Sequence, residues 1–322
     1  MFIALDKNQQ PISVDQAKRG ELYYCPVCNS KVTFKAGHVR IPHFSHYRIV
    51  HCIRYLYKSE SIEHLKAKHD LYLHIKGKRI VDMEIYLEEI EQIPDLMMHD
   101  TVIEIQLSTI SLELLMTRTK GYETLGLDVY WLLDETSFDA TRPTAFQLST
   151  MKAHHLFTYD IEQQQAYVYR MYYSDGQRWY YSREAIDVVH IEASVHKLKR
   201  GFYPVDKEIV RKLITRAKQK RSVLDVTLGS LYHLDWQADD IPEWMCMITP
   251  SERWILNAPL EWKLFIYKNI LSDTFSLHEF KTLIKPRLIR DTPDLHQLCE
   301  QLLEEYYMLN ISQNVTELEI YS

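Results

Sequence analysis

No run of the sequence is long or apolar enough to cross a bilayer. Its start, MFIALDKNQQ, lacks a basic segment followed by an apolar one, so no secretory leader is expected. Cysteine is sparse, with five in 322 residues: Cys25, Cys28, Cys52, Cys246 and Cys299. An odd, scattered set argues against a disulfide framework and for a reducing, cytoplasmic setting. Internal repeats and low-complexity linkers are also missing. A large excess of positive charge is absent too. The net charge is −6, which excludes a protein that coats nucleic acid over its whole surface but permits a local basic groove.

What is present is ordinary globular material, with 46% apolar and 25% charged residues. The length suits two or three units. Residues 1–57 are rich in short β-type pieces and hold several metal-ligand residues. Residues 58–200 read as an α/β core, ordered helix, strands, helix, strand, and ending in an aromatic β-hairpin. Residues 201–322 are mostly amphipathic helix. The expected first helix is SESIEHLKAKHDLYLHI, capped by Ser59 or Ser61. The second is SLELLMTRTKGYETLG, stopped at a glycine, and LDVYWLLD follows as a buried strand.

PDLMMHDTVIEIQLS (94–108) predicts two strands around a turn at His99-Asp100. Equal steps outward pair Met98 with Thr101, Leu96 with Ile103 and Asp95 with Glu104. By alternation Val102, Glu104, Gln106 and Ser108 share a polar face and Ile103, Ile105 and Leu107 an apolar one. Like charges facing each other repel. A divalent cation between them removes the cost, since Mg²⁺ takes one or two carboxylates, waters and phosphate oxygens. A solvated sheet face is the plainer alternative.

Cys25-Pro-Val-Cys28, fourteen residues, then His43-Phe-Ser-His46 has the composition of a four-ligand zinc site. Two strand residues three apart converge poorly, so Cys52 or His51 could replace one histidine. The competing reading packs reduced cysteines and histidines against Phe44. A redox CxxC is disfavoured because no thioredoxin-like βαβ surrounds it. A small structural zinc ribbon is favoured.

From Lys197 to Arg221 there are ten Lys or Arg against Asp206 and Glu208. Arg211, Lys212 and Arg216 lie on a predicted helix that could follow a phosphate backbone or merely be solvated. The hairpin AYVYRMYYSDGQRWYYS, turning at Asp175-Gly176, carries tyrosines that are either core or platforms for single-stranded bases. Trp236, Trp244, Trp254 and Trp262 are read as packing residues or a surface for a protein partner.

YYCPVCNSKV, HFSH, SIEHLKAK, PD…IEIQLS and RTKGYETLGLDVYWLL, in that order, resemble the competence protein CoiA family. More broadly, the PD…E-x-Q spacing after a helix bearing Glu63 resembles the PD-(D/E)XK nuclease superfamily. The likeness is strong over about residues 20 to 135. It implies a restriction-endonuclease-like core in which Asp95, Glu104 and Glu63 hold Mg²⁺ or Mn²⁺. Gln106 stands where the superfamily has lysine, and being neutral it supplies no positive charge. Lys68, one helical turn from His64, is a candidate replacement, with Lys120 a second; an ordinary solvated lysine is the alternative. Arg118 and Tyr122 are also one turn apart and could meet a DNA phosphate, as could His64. The resemblance further implies action on single-stranded or branched DNA during natural transformation, alongside RecA recombinase. Two other readings stay open: a DNA-binding accessory factor with a lapsed site, and a zinc-finger adaptor. Oligomeric state is not legible.

Overall fold

The computed structural model describes residues 1–37, 41–48, 52–53, 61–174, 178–196, 201–219, 225–290 and 292–320, the last nine as backbone only. His51, Ser59 and the Asp175-Gly176 turn lie outside them. The chain divides into two compact units: residues 1–138, 146–170 and 183–196 form the first, and 139–145, 171–182 and 197–322 the second.

The first unit begins with a five-stranded antiparallel sheet: β1 (Ile3–Leu5), β2 (Pro11–Ser13), β3 (Tyr23–Tyr24), β4 (Lys31–Lys35) and β5 (His43–His46), in the order β2-β1-β3-β4-β5. Next comes α1 (Ile62–Lys76). The Ser61 hydroxyl caps it by accepting from the His64 N–H at 3.1 Å. Ala67, Leu71 and Ile75, four apart, form its buried stripe.

Then follow β6 (Asp82–Met83), β7 (Leu96–Met98), β8 (Thr101–Gln106), α2 (Leu112–Thr124) and β9 (Asp128–Asp134). A short helix, α3 (Ala145–Ser149), precedes β10 (His155–Asp160), β11 (Gln165–Ser174) and β12 (Trp179–Ile186). The seven strands are ordered β12-β11-β10-β9-β8-β7-β6. β8, β9 and β10 run parallel, so α2 is the crossover of a β-α-β unit. Gly126, at φ 71, lets the chain leave α2 and enter β9.

The expected register is found: Met98 faces Thr101, Met97 faces Val102 and Leu96 faces Ile103. The expected polar face is not. Every residue of β8 from Thr101 to Ile105 is buried, because a central parallel strand is covered on both sides. The N-terminal sheet shares one apolar core with α1 and the strands, since Phe2, Cys25, Phe44 and Cys52 cluster with Leu71, Leu96 and Ile103.

The second unit is mostly helical. It contains β13 (Tyr203–Pro204) paired with β14 (Met247–Ile248), α4 (Lys207–Gln219), α5 (Val226–Leu234), α6 (Pro259–Leu271), α7 (Leu277–Leu283) and α8 (Leu295–Ile320). Its core gathers Trp244, Trp262, Phe280, Leu298 and Tyr306. No helix among the described residues is long and apolar enough to cross a membrane.

Candidate active site and metal centre

Asp95 lies one step beyond β7, where the register would set it opposite Glu104. Its carboxylate is drawn into the ladder instead. Oδ2 accepts the Ile105 N–H at 2.9 Å and contacts His64 Nε2 at 3.1 Å, while Oδ1 meets Lys68 Nζ at 3.0 Å. His64 and Lys68 thus share a face of α1, as their spacing requires, and both turn to Asp95. Lys68 is 1% exposed, so it is not a solvated helix lysine. Burial opposes ionisation of Asp95. The charges of His64 and Lys68, with the hydrogen bonds from His64 and Ile105, outweigh it and hold the carboxyl far below its ordinary range.

Glu104, on β8, is 1% exposed. Arg118 donates to its Oε1 at 2.5 Å, and the Tyr122 hydroxyl donates to the same oxygen. Arg118 and Tyr122 are one turn apart on α2, and Arg118 also lies 5.2 Å from the centre of the Trp131 ring. Burial pushes Glu104 up to about 7, against the pull of Arg118, and the nearby Asp95 charge adds to the rise. Two neighbouring carboxylates are thereby driven apart in acidity.

Several sequence expectations change. Glu63 is exposed on the first turn of α1, where its own backbone N–H and Ser61 hold the carboxylate. It forms no three-residue metal group with Asp95 and Glu104 among the described residues. It falls four residues before Ala67, on the line of the Ala67–Leu71–Ile75 stripe, but in the first turn of the helix, where Ile62 is exposed as well. Tyr122 is fully buried and Arg118 nearly so, which makes them internal partners of Glu104 rather than a surface for phosphate. The Gln106 amide donates to the Ser108 carbonyl at 2.5 Å, two residues past the end of its own strand. On α4, Arg211 meets Asp239 at 2.6 Å, and Lys212 lies 3.7 Å from Glu208. Arg216, in the last turn of the same helix, is exposed. In the hairpin, Tyr173 stacks on both Tyr180 and Tyr203 at 4.5 Å, while Trp179 is buried.

Sequence reasoning missed Glu84. It is buried, at φ 56, and its Oε1 lies 2.8 Å from Lys68 Nζ. The run RIVDMEIYL, or part of it, reads as a strand, and the part that forms ladder is Asp82–Met83. An acid between Met83 and Ile85 was the available signal.

The metal-ligand set of the N-terminal sheet is Cys25, Cys28, His46 and Cys52, whose ligand atoms all lie within 4.8 Å of one another. Cys25 Sγ and Cys52 Sγ are 3.9 Å apart, and Cys28 Sγ and His46 Nε2 are 3.3 Å apart. A zinc tetrahedron with bonds of about 2.0–2.3 Å has edges of about 3.5–3.8 Å, so this set fits. His43 is corrected to Cys52. An odd separation along β5 puts His43 and His46 on opposite faces, and His43 Nδ1 contacts the Ile41 carbonyl at 2.8 Å. Burial raises the Cys28 thiol, but hydrogen bonds from Ser30, Cys52 and Cys25 bring it below its ordinary value, as a thiolate ligand requires.

A mixed α/β sheet that bears the buried acids Asp95 and Glu104, with a small antiparallel sheet that carries a Cys₃His cluster, fits a nuclease-like domain joined to a small metal-ligand module. The family comparisons agree. Residues 60–216 match the competence protein CoiA nuclease-like domain, and residues 6–53 match the CoiA N-terminal domain. Together these cover more than half of the chain, which belongs to the competence protein CoiA family. Competence protein CoiA of Bacillus subtilis (strain 168) is 30% identical over 141 residues, 42% of this chain and 38% of that protein. The matched part therefore spans well under half of that relative. No solved structure matches.

Proposed function

We propose that this chain is a metal-dependent deoxyribonuclease of the PD-(D/E)XK type, built on a restriction-endonuclease-like core and acting on DNA taken up during natural competence. The observation that carries this is the meeting of Asp95, Lys68 and Glu84, with Glu104 on the neighbouring strand. Two hard carboxylates are a sufficient protein share for Mg²⁺ or Mn²⁺, the remaining ligands being water and phosphate oxygens. Asp95 and Glu104 would hold the ion. Bound there, it would supply an activated water and stabilise charge at phosphorus. Lys68 takes over the positive charge that Gln106 cannot provide. Arg118 balances Glu104 and keeps its carboxylate oriented from α2. Asp95, held ionised by His64 and Lys68, is charged at any working pH. Single-stranded or branched DNA is the proposed substrate, and α4 and the aromatic hairpin are further proposed DNA contacts. The Cys₃His set is the proposed structural zinc site.

A second reading, an accessory factor that assists RecA on single strands, is favoured by one feature. Each acid is already balanced by a protein cation, Asp95 by Lys68 and Glu104 by Arg118. Incubation with single-stranded, duplex and branched DNA and Mn²⁺ separates the two. Cleavage by the parent that disappears in Asp95→Ala and Glu104→Ala supports the nuclease. DNA binding without cleavage in any metal supports the accessory factor.

A further inference from the structure

We infer that Glu84 is a positioning residue: it fixes the Lys68 ammonium against Asp95 and is itself anchored by the backbone of Phe2, the residue that leads into the first strand of the N-terminal sheet. This deepens the nuclease reading and rests on it.

Lys68 Nζ is held from two sides, 2.8 Å from Glu84 Oε1 and 3.0 Å from Asp95 Oδ1. A lysine is a compact charge on a four-carbon stem, and its place is only as fixed as its partners. Glu84 is a fixed partner. Its other oxygen, Oε2, accepts the Phe2 N–H at 2.8 Å, and its backbone N–H donates to the Asp95 carbonyl at 3.2 Å. One residue thus ties together Lys68, the Asp95 backbone and Phe2, just before β1. The Phe2 ring packs on the same ammonium, with Nζ 5.9 Å from its centre. Beyond Phe2 the connection reaches the metal-ligand sheet: the Met1 carbonyl accepts the Phe44 N–H at 2.8 Å, and Phe44 lies on β5 with His46.

Glu84 holds this place in a left-handed conformation, φ 56, which a non-glycine residue keeps only where its surroundings over-determine it. Stability alone does not explain the arrangement. One lysine needs one carboxylate, and burying a second acid costs desolvation that the added attraction does not reliably return. A need for one exact ammonium position explains it. The neutral Gln106 turns toward Ser108, so the cation must come from α1, and Glu84 sets where it stands.

The test uses the full chain with a labelled single-stranded oligonucleotide and Mn²⁺, comparing the parent, Glu84→Gln, Lys68→Ala and the double variant. Glu84→Gln keeps an oxygen for the Phe2 N–H and loses the charge. The expected result is a fall in kcat of at least tenfold with KM within twofold. In the Lys68→Ala background the same change should cost less than twofold further. A Glu84→Gln kcat within twofold of the parent overturns the inference, as do losses that multiply in the double variant. A second readout needs no cleavage. In ¹⁵N-lysine NMR, the slowly exchanging ammonium signal assigned by its absence in Lys68→Ala should disappear in Glu84→Gln, and an unchanged signal overturns the inference. If the parent cleaves nothing with any divalent metal, the nuclease reading fails, and the NMR result alone sustains or overturns positioning. If Glu84→Gln does not fold, Glu84→Asp, which keeps the charge but shortens its reach, is measured in its place.

Discussion

Glu104 is under two opposed influences. Burial drives it toward the neutral acid, and Arg118 and Tyr122 draw it toward the anion. The balance moves it from an ordinary 4.5 to about 7. A carboxyl raised on folding adds stability that is complete below the unfolded value and is lost as pH climbs through the folded one. The metal-free protein should therefore lose on the order of a few kcal/mol between about pH 5 and 7.5 through this one group. Glu104→Gln, permanently neutral, should flatten that slope in urea titrations across the range. Asp95 works the other way and in another window. Its depressed value protects the fold at neutral pH and gives way only in strong acid. Tyr122→Phe should cost about 1.5–3 kcal/mol, the worth of a buried hydrogen bond to a charged group, with DNA affinity unchanged. Loss of DNA affinity in that variant would return Tyr122 to the surface role its spacing first suggested.

Among the elements, those with strong periodicity were legible. The β7–β8 register and the α2–β9 crossover follow from apolar spacing and turn residues, whereas of the apolar positions Ile62, Leu65, Leu71 and Ile75 that spacing marks on α1, only Leu71 and Ile75 are in the buried stripe and Ile62 is exposed. Spacing along one element also joined His64 to Lys68 and Arg118 to Tyr122. It could not say what each pair faces, because that depends on which helix covers which side of the sheet. Glu84 was hidden for a related reason: the spacing of its run does not mark where the strand stops, and a positive φ has no sequence mark when the residue is not glycine. At the metal centre, the odd step from His43 to His46 was a legible warning, but only the folded sheet brings Cys52 to Cys25. Purified protein should carry one zinc per chain. Cys52→Ser should lose it and His43→Ala should retain it, as read by metal analysis. Chelation should cost on the order of several kcal/mol in urea unfolding, because ligand binding at such a site is folding free energy.

At the scale of the molecule, the two units hold different kinds of buried charge. In the second, Lys263 is wholly enclosed and pairs with Glu252 at 2.5 Å. Removing one member of such a pair leaves the other charged and dry, at about 3–5 kcal/mol. Lys263→Ala should destabilise the second unit by that amount and leave the zinc content of the first unchanged. Tryptophan fluorescence is a suitable probe, since Trp131 alone of the six tryptophans falls in the first unit. A fluorescence midpoint that does not move would mean that the ammonium finds water in the folded state. The coverage of β8 on both sides has a consequence of its own. On the nuclease reading, a nucleic-acid strand could not drape across that sheet, and a phosphodiester would have to reach the acids end-on, from the end of β8 that leads to α2. The room at that end of the strand would then decide whether a flexible single strand or a stiff duplex is admitted.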